Sequence, residues 1–273
     1  MIDLNADLAE GDVLTPVDRA LLDVVTSASL ACGFHAGSRA VMRDAAEACL
    51  ERGVSIGAHL SYRDRAGFGR RALEVPAERL AADLVEQWEA LVSEVEVAGG
   101  RVAYVKPHGA LYAALATDPS VAATVIDALR PHCPVLVGPP DRRLVETAEA
   151  AGVEVVTEGF CDRAYDALGR LVPRGDAGAE VDDPADVAAR ARSLAVDGGV
   201  HAADGTWVPL VVRTLCIHGD RDGAERRGRA VRAALGEAGV GVRAFTRTTG
   251  STGSTRSTRT SGSTGTGPGP GAP

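Results

Sequence analysis

The segment Val102-Ala103-Tyr104-Val105-Lys106-Pro107-His108-Gly109 shows the pattern from which the fold can be inferred. Its first four residues form a short, largely apolar run of strand length, and polar side chains follow where the run stops. Lys106 is also the only lysine among 29 Lys and Arg residues. Lysine is a compact cation with a tunable pKa, whereas arginine is a permanently charged planar fork. We therefore predict a strand that brings an ammonium and an imidazole to its carboxyl end.

The same order of residues recurs at three more histidines. Short, largely apolar runs of strand length end at His35, His59 and His218. In parallel α/β folds the carboxyl ends of all strands open onto one face, where ligands bind. We expect these three histidines and His108 to converge there. The other two histidines are interpreted as loop or edge residues.

Seven strand candidates alternate with helical patterns along the chain. They lie near residues 2–7, 28–34, 54–59, 102–106, 134–138, 153–158 and 211–217. Such alternation is typical of a parallel sheet. Seven strands with polar residues at their ends predict a single-domain (β/α) barrel, and an open doubly wound sheet is the alternative.

Helix signals support this organisation. Pro76 and Gly99 delimit a predicted helix with one apolar stripe, and this helix contains the only glutamine, Gln87, to which no chemical role is assigned. Ser38 and Asp141 are predicted helix caps. The spacing breaks between residues 159 and 211, where a helix near 184–197 and an Asp-Gly hairpin signal predict an insertion that covers or flanks the site.

Composition divides the 273 residues into a barrel domain, residues 1–245, and a Ser/Thr/Gly/Pro-rich tail, residues 246–273, that is expected to be disordered. Three arginines and no acids lie in the tail, so the net charge of −8 leaves −11 for the body. This acidity argues against nucleic acid as a partner. Five cysteines without a CxxC pair and the lack of an apolar stretch of ~18 residues predict a cytoplasmic protein with no membrane span.

One face of the predicted barrel collects a dense polar set: Asp7, Glu10, His35, His59, Lys106, His108, Asp162, Arg163, His218 and Asp220. Carboxylates beside histidines can orient them as general bases, or form with them a cage for a divalent ion. Both interpretations stay open. The metal candidates are Asp7, His35, His59, His108 and His218.

The individual groups also have plainer interpretations. Lys106 has three interpretations: a cation that stabilises a phosphate or a developing oxyanion, an amine that acts as a base, or a strand-end lysine that only pairs with a carboxylate. Asp162 and Arg163 are a lid contact to an anionic substrate or a surface ion pair. Asn5 binds substrate or caps a turn. The sequence contains no GxxxxGK[ST], GxGxxG, HExxH or GxSxG motif.

An ordered set of short motifs resembles one family. The motifs are D-L-N-x-D-x-x-E from Asp3, A-C-G-F-H-A-G from Ala31, G-A-H-x-S-x-x-D-R from Gly57, V-K-P-H-G-x-L-Y from Val105 and C-x-H-G-D from Cys216. Together with Asp162-Arg163-x-Tyr165 and Leu171-Val172-Pro173-Arg174, they are similar to the LamB/YcsF family over about residues 1–245. Ala9, Leu60, Leu168 and Arg213 depart from the usual pattern, but no strand-end histidine is lost.

The resemblance implies a glycoside hydrolase/deacetylase-like (β/α) barrel. It also implies a 5-oxoprolinase component that opens the 5-oxoproline lactam to L-glutamate, with ATP as co-substrate and with partner subunits B and C. On this hypothesis we assign catalytic roles to Asp7, Glu10, His35, His59, Lys106, His108 and His218, and substrate or phosphate binding to Asn5, Asp162 and Arg163. A metal-dependent deacetylase or amidohydrolase acting alone is the second hypothesis, and a non-catalytic ligand-binding protein is the third.

Overall fold

A computed structural model describes residues 1–246 of the chain. Apart from Thr246, the tail for which disorder is expected lies outside the described residues. The strands are β1 (Asp3–Leu8), β2 (Ser27–Ala31), β3 (Ser55–Leu60), β4 (Val102–Pro107), β5 (Val135–Gly138), β6 (Glu154–Phe160), β7 (Gly199–His201), β8 (Trp207–Pro209) and β9 (Thr214–His218). The helices are α1 (Pro16–Leu22), α2 (Arg39–Arg52), α3 (Ala77–Val97), α4 (Gly109–Thr117), α5 (Pro119–Leu129), α6 (Arg142–Ala150), α7 (Pro184–Arg192) and α8 (Ala224–Glu237), with a π-helical turn at Ser193–Asp197.

Seven parallel strands close into a barrel in the order β1-β2-β3-β4-β5-β6-β9. β1 completes the ring by pairing with β2 on one side and β9 on the other. This closure confirms the predicted seven-stranded (β/α) barrel and excludes the open sheet. The predicted run 28–34 is too long as a strand, because β2 ends at Ala31 and Gly33 and Gly37 turn the chain at positive φ. His35 therefore lies on a loop.

Local signals account for the helices that surround the barrel. The Ser38 hydroxyl accepts the Val41 N–H at the start of α2, and Asp141 caps α6 by accepting from Leu144 N. α3 buries its predicted stripe, which consists of Leu80, Leu84, Trp88, Leu91 and Val95. These helices cover the outer face of the strands with the main apolar core.

The barrel interior differs from this outer core because it carries many polar side chains. Alternate residues of each strand point inward, and a small inner apolar cluster of Tyr104, Val137 and Val156 lies apart from the main core. Gly57 makes room for it, since a Cβ there would lie 2.1 Å from the Tyr104 ring. The polar residues Asp3, Asn5 and Asp7 of β1 also face this interior.

The predicted insertion contains the β7–β8 hairpin, whose register pairs His201 with Trp207 around the Asp-Gly turn. Arg163 donates to the carbonyl oxygens of Ala179 and Val172, which holds the loop before α7 against β6. Within the described residues, no single helix has the length and hydropathy to cross a bilayer. Of the helices in this part of the chain, only α4 and α5 taken together have the required length and hydropathy, and the chain bends by 113° between these two helices.

Candidate active site

Lys106 lies at the centre of the barrel mouth and is almost completely buried. Its Nζ is 2.8 Å from Asp7 Oδ1 and 2.8 Å from Glu158 Oε1. It also donates to Asn5 Oδ1 at 3.1 Å and to Cys216 Sγ at 3.2 Å. Burial alone would lower the pKa of Lys106, but the negative charges around it, Asp7 first, raise that pKa well above its usual value. Lys106 is therefore a fixed cation, and the interpretation as a base loses support.

Asp7 connects this ammonium to the histidines. Its Oδ2 lies 3.4 Å from His59 Nε2. Burial would raise the pKa of Asp7, yet His59 and Lys106 outweigh it and hold the pKa well below the usual value. An ionised carboxylate thus stands between the cation and the imidazoles.

Three histidines and Glu10 form a compact cluster beside Asp7. Glu10 Oε1 is 3.3 Å from His35 Nε2, 3.3 Å from His108 Nδ1 and 3.8 Å from His59 Nε2. The rings of His35 and His108 stack with centroids 4.0 Å apart. The potential ligand atoms of all four side chains lie within 4.8 Å of one another.

Main-chain carbonyls fix the protonation of two of these rings. His59 Nδ1 lies 3.0 Å from Lys106 O, and His108 Nε2 lies 2.9 Å from Phe68 O. A carbonyl oxygen only accepts, so both nitrogens carry a proton. The remaining nitrogens, His59 Nε2 and His108 Nδ1, face each other at 2.9 Å. If both rings are neutral, each of these two nitrogens carries a lone pair, and the two lone pairs repel each other. A cation bound by both nitrogens, or a proton on one of them, removes this repulsion.

The donor set fits a divalent metal ion. Neutral imidazole nitrogens and a carboxylate are common ligands of transition metals, and hydrogen bonds from the opposite ring nitrogens to carbonyls are the usual means of orienting such histidines. Burial lowers the pKa of His35 and that of His108, the latter to about 2, which keeps both imidazoles neutral. Glu10 belongs to this set, although it is absent from the metal candidates predicted from the sequence.

His218 occupies the opposite part of the mouth, at the end of β9. Its Nδ1 lies 2.9 Å from Asp162 Oδ1, and its main-chain N–H donates to Asp162 Oδ2. Burial would raise the pKa of Asp162, but His218 outweighs it and the pKa is lowered. One ring nitrogen of His218 is also within 4.8 Å of ligand atoms of Asp7 and Cys216. Asp162 therefore orients His218 toward the centre of the site.

The loop from Ser61 to Arg71 covers the histidine cluster. Phe68 packs edge-on against His35 and His108, with its backbone in the left-handed region. Arg70 extends the cover by pairing with Asp220 at 2.6 Å. At the start of the loop, Gln87 Oε1 accepts from Ser61 N and Gln87 Nε2 donates to Ser61 O. Gln87, without a role in the sequence interpretation, thus supports this loop.

The structure brings most of the predicted site residues together at one mouth: Asn5, Asp7, Glu10, His35, His59, Lys106, His108, Asp162 and His218. Arg163 lies next to them, but its guanidinium is bound to carbonyls of the insertion. Sequence reasoning missed Glu158, Cys216, Phe160 and Tyr112, which surround Lys106 or its neighbours. The sequence of β6 gives no local signal that the Glu158 side chain faces inward.

Fold and site together define a closed (β/α)-barrel protein with a histidine–carboxylate centre and a buried lysine at the mouth. The model of the LamB/YcsF family matches residues 2–250. The chain belongs to that family.

Relatives in this family match almost their full length. The chain is 51% identical over 250 residues to the 5-oxoprolinase A subunit from Streptomyces griseus subsp. griseus, covering 90% of this chain and 100% of the relative. The 5-oxoprolinase A subunit from Streptomyces avermitilis is 53% identical over 251 residues, with the same coverage. Among solved structures, the lactam utilization protein from Thermus thermophilus is similar with a TM-score of 0.82 at 40% identity, covering 89% of this chain and 99% of that one.

Proposed function

We propose that the protein is the component of a 5-oxoprolinase that opens the 5-oxoproline lactam to L-glutamate, with ATP as co-substrate and with partner subunits B and C. The observation that carries the proposal is the full-length similarity to relatives named as the A subunit of 5-oxoprolinase, at 51% and 53% identity. The name of those relatives also supports the assignment of partner subunits.

The chemistry of a lactam explains the need for ATP. The ring nitrogen donates electrons into the carbonyl group, so the carbonyl carbon is a poor electrophile. Transfer of a phosphoryl group from ATP to the carbonyl oxygen makes the carbonyl carbon a better electrophile, and water adds to it. The ring C–N bond then breaks to give an acyl phosphate of glutamate, and a second water molecule hydrolyses this acyl phosphate to L-glutamate and phosphate. This route needs a group that deprotonates water, a group that protonates the ring nitrogen, and a cation near the oxygen.

The mouth of the barrel offers a residue for each of these tasks. Asp7, held ionised with Oδ2 free of the lysine, accepts the proton of the attacking water. His218, oriented by Asp162, donates a proton to the departing nitrogen, as a histidine–carboxylate pair does in other hydrolytic sites. Lys106 holds Asp7 in place and provides positive charge beside the reacting oxygen.

We further propose that Glu10, His35, His59 and His108 hold a divalent metal ion. The close approach of their potential ligand atoms, all within 4.8 Å of one another, supports this assignment. A bound divalent ion would supply Lewis acidity at this mouth. Arg163, whose guanidinium binds two carbonyl groups, positions the insertion instead of binding phosphate or substrate.

The histidine cluster also favours a second candidate, a metal-dependent amidohydrolase that needs no ATP. One assay separates the two. The purified chain, with and without candidate partner subunits, is incubated with 5-oxoproline and ATP while glutamate and ADP are measured. Glutamate formed only with ATP supports the first function. Robust hydrolysis without ATP that is lost on chelation supports the second and contradicts the first.

A further inference from the structure

Two buried polar atoms beside Lys106 lack a hydrogen-bond partner within the described part of the chain. They are Glu158 Oε2 and the hydroxyl oxygen of Tyr112. An unsatisfied buried polar group is costly, so its persistence calls for an explanation such as a ligand. Neither side chain has a role in the proton transfers described above.

The two groups differ in what they can offer a ligand. Glu158 Oε1 already accepts from Lys106 Nζ and from Asn5 Nδ2 at 2.9 Å, so Oε2 is the free acceptor. Burial raises the pKa of Tyr112 well above its usual value, and the charge of the nearby Glu158 carboxylate and a hydrogen-bond interaction with it act in the same direction. The phenol therefore keeps its proton and is a donor. A donor and an acceptor lie side by side.

Phe160 places this pair at the reacting centre. Its ring packs edge-on against Tyr112 with centroids 5.5 Å apart, and its centroid is 5.4 Å from Lys106 Nζ. The Phe160 ring also stacks with His218, with the ring centroids 5.3 Å apart. A flat ring bound beside Phe160 would have the proposed proton donor His218 and the lysine within reach.

We propose that Tyr112 and Glu158 bind the amide edge of a cyclic cis-amide, with the Tyr112 hydroxyl donating to the carbonyl oxygen and the Glu158 carboxylate accepting from the ring N–H. A small lactam ring forces its amide to be cis, so its N–H and C=O point to the same edge. The ordinary trans amide presents them on opposite edges. The inference rests on the proposed function, because 5-oxoproline is such a cis-amide, and it specifies how this substrate class is selected.

Matched ligands and matched variants test the proposal in the whole chain. Binding of 5-oxoproline and of the lactone analogue, in which oxygen replaces the ring N–H, is measured by titration calorimetry. The variants are Tyr112→Phe, Glu158→Gln and, as a control, Tyr104→Phe. Tyr104 is also buried, but its hydroxyl already pairs with Ser29 Oγ at 3.2 Å.

The expected results are specific to each change. The wild type prefers the lactam over the lactone by at least about tenfold, because the lactone leaves Glu158 unpaired. Tyr112→Phe weakens lactam binding about 10- to 100-fold, because the carbonyl oxygen of the lactam loses its donor. Glu158→Gln removes most of the preference for the lactam. Tyr104→Phe leaves the preference and the affinity unchanged.

Two results overturn the inference. A lower Tm for Tyr112→Phe with unchanged lactam affinity would mean that the hydroxyl serves only the packing of Glu158. Equal binding of lactam and lactone by the wild type would exclude recognition of the N–H. Turnover of 5-oxoproline by the wild type with partner subunits and ATP tests the proposed function separately. Turnover that Tyr112→Phe leaves unchanged refutes the inference alone, and Tyr112-dependent binding without any turnover refutes the function alone.

Discussion

Replacement of Lys106 by methionine tests whether one ammonium compensates two buried carboxylates. Lys106 Nζ lies 2.8 Å from both Asp7 and Glu158, and all three side chains are buried. Methionine keeps much of the length and apolar surface of the side chain but removes the charge. Breaking a buried ion pair from one side costs about 3 to 5 kcal/mol, because the remaining charge stays buried without a counter-ion.

Because two buried carboxylates are left without a counter-ion, we expect the free energy of unfolding to fall by an amount in the upper part of that range, roughly 4 to 5 kcal/mol. In a domain of this size, such a loss corresponds to a decrease in Tm of about 8 to 20 °C. Urea unfolding at pH 7, followed by circular dichroism in the presence of a chelator, measures the free energy directly. The chelator keeps any bound metal from contributing to the difference.

The double variant Lys106→Met/Asp7→Asn is the matched control. Because it removes one of the two stranded charges, we expect it to be more stable than the sum of the single effects predicts, by about 0.5 to 3 kcal/mol. A loss below about 1 kcal/mol for Lys106→Met, or strictly additive effects, would refute the reasoning. Lys106→Arg gives a functional counterpart, since it keeps the charge and changes the shape; unchanged turnover would remove Lys106 from the reaction.

Three further outcomes are expected. Burial would raise the pKa of Glu94, but two arginine side chains outweigh burial and hold the folded-state pKa below the ordinary 4.5. The ionised Glu94 therefore stabilises the fold above pH 4.5, and this stabilisation is lost as the pH falls through the lower folded-state pKa. The difference in Tm between the wild type and Glu94→Gln should shrink below pH 4.5, and a constant difference would contradict this. His108→Ala should lower the metal content of freshly purified protein several-fold while His201→Ala, in the hairpin, leaves it unchanged; equal content by elemental analysis would remove the metal assignment. Gln87→Leu should cost about 2 to 4 kcal/mol in urea unfolding, since the N–H and C=O of Ser61 both lose their partner, and a cost under about 1 kcal/mol would contradict that support.

Much of the barrel could be predicted because several strands end at or beside a distinctive polar residue. Lys106, His59 and His218 each follow apolar runs whose length matches the observed strands, and closure of the sheet then brings these ends together. The pattern also predicts a strand end at His35, but glycines at positive φ turn the chain before and after it. The imidazole still reaches the cluster because the turn folds back over the mouth.

The missed residues depend on which way a side chain points. Glu158 lies in a run of valine, threonine and glutamate, where no local pattern distinguishes an inward from an outward carboxylate. Only the register of β6 beside β9 places it in the barrel interior, next to the lysine of β4. Tyr112 belongs to a helix whose short apolar sequence has no clear polar face, so its hydroxyl carried no signal.

The carbonyl groups of Lys106 and Phe68 set the protonation of His59 and His108. These acceptors belong to the polypeptide backbone, so exchanging neighbouring side chains leaves them in place. The path of the Phe68 loop is itself fixed by glycine, since a Cβ on Gly109 would lie 2.6 Å from Gly69 O. Side chains at the rim of the barrel can thus be exchanged to alter which molecules enter, while the main-chain hydrogen bonds keep the tautomers of His59 and His108 unchanged.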